Sequence, residues 1–111
     1  MTEYLELCKT DEVSEGEMKG IELNGQKILV ANIEGDFYAM DAVCSHMKGD
    51  LPSGKLRGKI VKCPSHGCKY DVTSGKVVRN VDFMTQAFSG KCHDQKTFEI
   101  TTDDDKLFIR L

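Results

Sequence analysis

Two short cysteine–histidine pairs constrain this chain more than any other feature: Cys44-Ser45-His46 and, sixteen residues on, Cys63-Pro64-Ser65-His66. Each pair is a tight loop offering one thiolate and one imidazole, and together they predict four ligands for a single metal centre. Thiolates suit zinc and iron–sulfur clusters, and imidazole suits zinc and iron. On ligand types alone, a closed structural Cys2His2 zinc site in an interaction module therefore stands beside a redox cluster.

The rest of the chain is lean. At 111 residues it is about one ordinary domain, of a size where a metal centre adds usefully to what a small core supplies, and residues 1–111 are read as a single domain. No apolar run approaches the ~20 residues of a membrane span, so no membrane partner is expected. The N-terminus, Met1-Thr2-Glu3-Tyr4-Leu5-Glu6, has neither the positive region nor the apolar region of a leader, which predicts a cytoplasmic protein. A formal charge of −3 argues against nonspecific nucleic-acid binding and fits a carrier that meets a basic patch on its partner. Of five cysteines, Cys8, Cys68 and Cys92 stand outside the pairs, and in a reducing compartment they are expected to be three free thiols.

Short strands separated by turns dominate the pattern. Tyr4–Lys9 alternates, Lys19–Leu23 runs into the hairpin signal Asn24-Gly25, and Gln26–Ile33 carries the β-rich Ile28-Leu29-Val30. Phe37–Asp41 leads to the first pair, and Lys59–Lys62 and Lys69–Val72 flank the second. Lys76–Val78, Thr97–Thr101 and Leu107–Leu111 complete the strands, with Asp103-Asp104-Asp105 as a solvated turn and a single helical turn at Asp11–Glu15. This is an all-β chain, a sandwich or a partly open barrel.

Cys-x-His followed by Cys-x-x-His, with Gly67, Tyr70-Asp71 and Thr73-Ser74-Gly75 after it, resembles the ligand pattern of Rieske iron–sulfur proteins. The resemblance implies a fold of three antiparallel sheets with a small cluster-binding subdomain, here about residues 42–72. It implies one [2Fe–2S] cluster per chain, Cys44 and Cys63 on one iron, and His46 and His66 on the other. Such mixed ligation raises the potential to roughly −150 to +300 mV, against about −400 mV for plant-type ferredoxins.

Around the ligands, Gly49 and Gly67 are candidates for loop positions where backbone must approach sulfide, or else plain turn glycines. The two cysteines that bridge the loops in high-potential relatives are matched here by Gly49 and Ser65, so that bridge is absent. Cys68 stands where those proteins carry a serine that donates to a sulfide, and Tyr70 matches their tyrosine donor to a ligand sulfur. Phe83 and Met84 are the residues available to cover the cluster, with ordinary loop packing as the alternative. Cys92 and His93, adjacent in an extended segment, are poorly placed to bind one metal and read as a core cysteine and a surface histidine.

The function implied is that of a monomeric electron carrier, not an enzyme, passing single electrons from a reductase to an oxygenase or other oxidoreductase. The alternative in the same chemistry is a small Rieske subunit fixed inside a larger assembly, such as a nitrite-reductase-like complex. The electron is expected to leave through the histidine-bound iron.

Overall fold

The computed structural model describes residues 3–46 and 48–111. Met1 and Thr2, read above for leader character, and Met47 in the first loop lie outside the described residues.

The order is β1 (Leu5–Lys9), a 3-10 turn (Thr10–Glu12), β2 (Met18–Leu23), β3 (Gln26–Ile33), β4 (Asp36–Asp41), a second 3-10 turn (Leu51–Ser53), β5 (Lys55–Arg57), β6 (Ile60–Lys62), β7 (Lys69–Asp71), β8 (Val77–Arg79), α1 (Phe83–Ser89), β9 (Thr97–Asp103) and β10 (Lys106–Arg110). Two groups of antiparallel strands result, β1-β10-β9-β4-β3-β2 and β5-β6-β7-β8. The larger group is two halves that share β9, one of three strands (β1-β10-β9) and one of four (β9-β4-β3-β2). The first residues of β9, Thr97 and Phe98, pair with Met40 and Ala39 of β4, while the stretch from Glu99 to Asp103 pairs with β10. Together with β5–β8 these halves make the three antiparallel sheets that the family resemblance implies.

Asn24-Gly25 forms the expected hairpin turn, with both residues at positive φ (52° and 79°), the backbone that matches strand twist and that Asn-Gly favours. The turn fixes the β2–β3 register from Leu23↔Gln26 to Met18↔Ala31. β3 is the central partition of the molecule. Its alternating side chains enter different cores: Ile28 and Val30 pack with Val13, Phe98, Leu107 and Ile109, whereas Leu29 and Ala31 pack with Met40, Leu51, Val61, Tyr70 and Val72. A strand buried on both faces needs an unbroken apolar run, which is what Ile28–Ala31 supplies.

Three features depart from the sequence reading. β5 is a strand in a stretch to which the sequence pattern assigns none. α1 interrupts a segment read as loop; Asp82 caps it by accepting from the Thr85 backbone N–H at 2.7 Å. Cys68 and Cys92 form a disulfide, which corrects the expectation of three free thiols: outside the ligand pairs only Cys8 is free among the described residues. Beyond α1 the chain returns over the second ligand loop and brings the two Cα atoms to 6.4 Å, within bridging range. None of the helices among the described residues is long and apolar enough to cross a membrane.

Candidate metal centre

The first loop leaves β4 and the second joins β6 to β7. Each is closed by backbone pairs of the same kind: Cys44 N–H donates to Gly49 C=O (2.8 Å) and Lys48 N–H to Cys44 C=O (2.9 Å), while Cys63 N–H donates to Cys68 C=O (2.8 Å) and Gly67 N–H to Cys63 C=O (3.2 Å). Equivalent closures present equivalent residues, so the cysteines sit at the loop bases and the histidines at the tips.

All four predicted ligands come together. Cys44 and Cys63 are both buried, and the Cys44 thiol is near enough to bear on the ionisation of Cys63. The rings of His46 and His66 stand edge to face with centroids 4.9 Å apart; His66 is exposed and His46 half-buried. Burial raises the Cys63 thiol above its usual range and the neighbouring Cys44 adds to this, but the Ser65 and His66 backbone N–H groups point at its sulfur and favour a thiolate.

The residues fit a two-iron cluster better than one ion. Among the described residues no three Cys, His, Asp or Glu donors gather closely enough to hold a single metal ion; the donors instead form a buried thiol pair and an outer imidazole pair. The cradle is shaped by Gly49, where a Cβ would lie 2.8 Å from both Cys63 Sγ and Ser65 Oγ. Gly49 is thus required by close approach. Gly67 is required by its positive φ of 85°, its nearest neighbour being the Lys62 stem. Gly49 and Ser65 are neighbours, as the bridging cysteines of high-potential relatives must be, yet the disulfide here is Cys68–Cys92. Cys68, which stands where those relatives carry a donating serine, therefore has no S–H to donate in its place.

Tyr70 is fully buried, with its hydroxyl 3.1 Å from Cys44 Sγ and 3.0 Å from Ser45 Oγ. Burial first, and then the Cys44 thiol, hold its pKa far above the ordinary phenol value, so it is a donor at any working pH. Phe83 and Met84 do not cover the site: they are 82% and 63% exposed, on the outer side of α1. The helix touches the site through Ser89, whose Oγ is 3.1 Å from His46 Nε2. Cys92 is buried and His93 exposed, as the extended backbone predicts.

One important residue is invisible to motif reasoning. Gln95 is buried; its Oε1 accepts from Ser45 N–H (2.8 Å), and its Nε2 donates to Val43 C=O (2.8 Å) and Asp41 C=O (3.0 Å). Ser45 Oγ also donates to His93 C=O and accepts from His93 N–H. The segment 92–95 thus holds the first loop through hydrogen bonds and the second through the disulfide. A glutamine between Asp94 and Lys96 carries no pattern that would single it out.

Comparison with known proteins agrees with this geometry. The family profile of the Rieske [2Fe–2S] domain matches residues 3–99. The chain is 32% identical over 75 residues (68% of this chain, 72% of the relative) to the ferredoxin component of naphthalene 1,2-dioxygenase/salicylate 5-hydroxylase systems of Ralstonia sp.. It is 29% identical to the ferredoxin component of the p-cumate 2,3-dioxygenase system of Pseudomonas putida, over 98% of this chain and 86% of that one. Among solved structures, the Sphingomonas yanoikuyae B1 ferredoxin superposes with a TM-score of 0.83 at 26% identity, covering 98% of this chain and 99% of its own. The ferredoxin of carbazole 1,9a-dioxygenase from Nocardioides aromaticivorans IC177 shares the fold at a TM-score of 0.80 and 17% identity, covering 96% of this chain and 95% of its own. With paired thiols inside, paired imidazoles outside and a family match from residue 3 to residue 99, the chain belongs to the Rieske [2Fe–2S] domain family, whose cofactor is a [2Fe–2S] cluster.

Proposed function

We propose that this protein is a one-electron carrier between a reductase and an oxygenase, with no substrate chemistry of its own, and that Cys44, Cys63, His46 and His66 hold its single cluster. The observation that carries this reading is the gradient of exposure across the four side chains: both thiols are buried and the His66 imidazole is at the surface. The relatives described above are ferredoxin components of oxygenase systems, which supports the same direction of electron flow.

When bound, the cluster supplies a one-electron couple at intermediate potential. The protein supplies its surroundings. Val61, Leu51 and Val72 exclude water from the thiol side, Tyr70 aims a proton at Cys44, and the Ser65 and His66 amides favour negative charge on Cys63. The exposed His66 brings the histidine edge within reach of a partner.

The whole chain is proposed to act as one unit, because the core around Tyr70 draws on Leu29 and Met40 of one sheet and Val61 of the other. A cluster-binding subdomain at about residues 42–72 is proposed within it. We place the protein in the cytoplasm, where its reductase would be; the Cys68–Cys92 bridge is buried at both ends and so shielded from attacking thiolates there. A monomer is proposed, to be read by gel filtration.

The test is the visible spectrum of the purified protein, then EPR after dithionite reduction. A red-brown protein with a rhombic signal of low average g is expected, and His66→Ala should lose it. A colourless protein containing stoichiometric zinc, or an unchanged signal in His66→Ala, would overturn the reading.

A further inference from the structure

Charge is distributed very unevenly. Residues 55–79 carry seven Lys or Arg against the single acid Asp71, +6 in a chain whose formal total is −3, which leaves −9 for the remainder. This segment is the four-stranded sheet beside the second ligand loop.

Register concentrates the positive charge further. Lys55 pairs with Lys62, Lys62 with Lys69, and Lys69 with Arg79, so one cation from each strand lies in a single row across the outer face. Their alternating neighbours Leu56, Val61, Tyr70 and Val77 face the core. Like charges directly opposite one another on neighbouring strands destabilise a sheet. Nothing in the fold relieves this row: the ion pairs among the described residues are Lys19–Glu12, Lys59–Asp71, Lys106–Glu6 and Arg110–Glu99. A repulsive row without internal partners is a feature that an external anion would complete.

Its position says which anion. Lys62, Lys69 and Arg79 line a cleft that His66, Gly67 and Asp82 also line, and Lys55 and Lys62 border a second cleft that reaches Cys63 and His66. Asp82 is the one acid there, and its carboxylate already caps α1. Beyond Asp82, α1 exposes Phe83, Met84 and Phe88, and its Ser89 Oγ lies 3.1 Å from His46 Nε2. Aromatic and methionine side chains beside a charged rim are the composition of a protein interface.

We propose that the Lys55–Lys62–Lys69–Arg79 row is a docking face for an acidic surface on the protein that exchanges electrons with this one, setting His66 against it. The inference rests on the electron-carrier reading. It reverses, for this end of the molecule, the basic partner that whole-chain charge predicts. Complementary charge at the electron exit raises encounter rates and fixes orientation.

The test uses the cluster-loaded protein, reduced, and two small one-electron oxidants of opposite charge. Ferricyanide takes one electron to become ferrocyanide, and tris(phenanthroline)cobalt(III) takes one to become the cobalt(II) complex. With ferricyanide the second-order rate constant should fall about tenfold as ionic strength rises from about 0.01 to about 0.5 M, and with the cobalt cation it should rise. Lys55→Gln/Lys62→Gln/Lys69→Gln should abolish the fall, whereas Lys9→Gln/Lys106→Gln on the six-stranded group should retain it. The opposite salt pattern, as a uniform −3 charge would give, or an unaltered fall in the triple variant, would overturn the docking face while leaving the carrier reading intact. A protein with no reducible cluster would instead overturn the carrier reading. Binding of a DNA duplex or of phosphatidylglycerol vesicles at ~0.15 M salt, lost in the triple variant, would reassign the face and overturn the protein partner.

Discussion

Tyr70 Oη and Cys44 Sγ lie 3.1 Å apart, and the proton between them belongs to the tyrosine. Ser45 Oγ spends its own proton on His93 C=O and accepts from His93 N–H, so toward Tyr70 it can only accept. A metal-bound thiolate has no proton to give. The single Tyr70 proton is therefore divided between Cys44 and Ser45, and its share at sulfur favours the more negative, reduced state.

Tyr70→Phe should accordingly lower the midpoint potential by about 40–60 mV, the equivalent of ~1–1.5 kcal/mol for one electron. An EPR-monitored redox titration checks this. An unchanged midpoint would mean that the hydroxyl serves Ser45 alone.

The Cys68–Cys92 bridge closes a loop of 24 residues, which in the chain-entropy account is worth about 3 kcal/mol. Cys92→Ser should lose about that much stability in urea titrations. Under denaturing conditions without reductant, alkylation of the metal-free protein should label three cysteines, and with reductant five.

Gln95→Ala leaves Ser45 N–H, Val43 C=O and Asp41 C=O without the partner they have here. A loss of about 2–4 kcal/mol is expected, and with it faster amide exchange in the first loop than in β3. Uniform acceleration across the chain would contradict a local role.

Asp71 reports on acid stability. Burial pushes its carboxyl pKa up, but Thr73 N–H (2.9 Å), Thr73 Oγ–H (2.6 Å) and Lys59 Nζ (3.3 Å) outweigh this and hold it below the usual aspartate value. A depressed folded pKa adds stability above the unfolded value of ~3.9 and loses it as pH falls through the folded one. Asp71→Asn should cost roughly 1 kcal/mol at neutral pH and flatten the loss of stability below about pH 4. Chemical denaturation across that range is the measurement.

Gly49→Ala should hinder cluster assembly, because its methyl would sit 2.8 Å from Cys63 Sγ and Ser65 Oγ. A strain of about 1–3 kcal/mol is expected, read as iron content and midpoint thermal stability against wild type.

Much of this architecture was legible because local chemistry and tertiary context agree. Asn24-Gly25 sets a hairpin, and the Ile28–Ala31 run requires a strand buried on both faces, so β3 emerged with its bounds intact. α1 was illegible because Phe83–Ser89 has no apolar face turned to a core; its residues are exposed or half-buried, and only the Asp82 cap announces it. β5 has three residues between two turn glycines, too short for a period to show. At the site, the ligand types and spacing singled out the four residues proposed as ligands, which the fold brings together, whereas the Cys68–Cys92 pairing depends on how α1 turns the chain back, which spacing does not encode.

The short segment from Cys92 to Gln95 gathers the first loop by hydrogen bonds, the second by a covalent bridge, and β8 through Asp94 Oδ1, which accepts from Val77 N–H at 2.9 Å. Its connections make it a latch whose release is one event for the whole metal-binding end. The metal-binding end should then open as one cooperative unit, held shut by a strand connector distant in sequence from either cysteine–histidine pair.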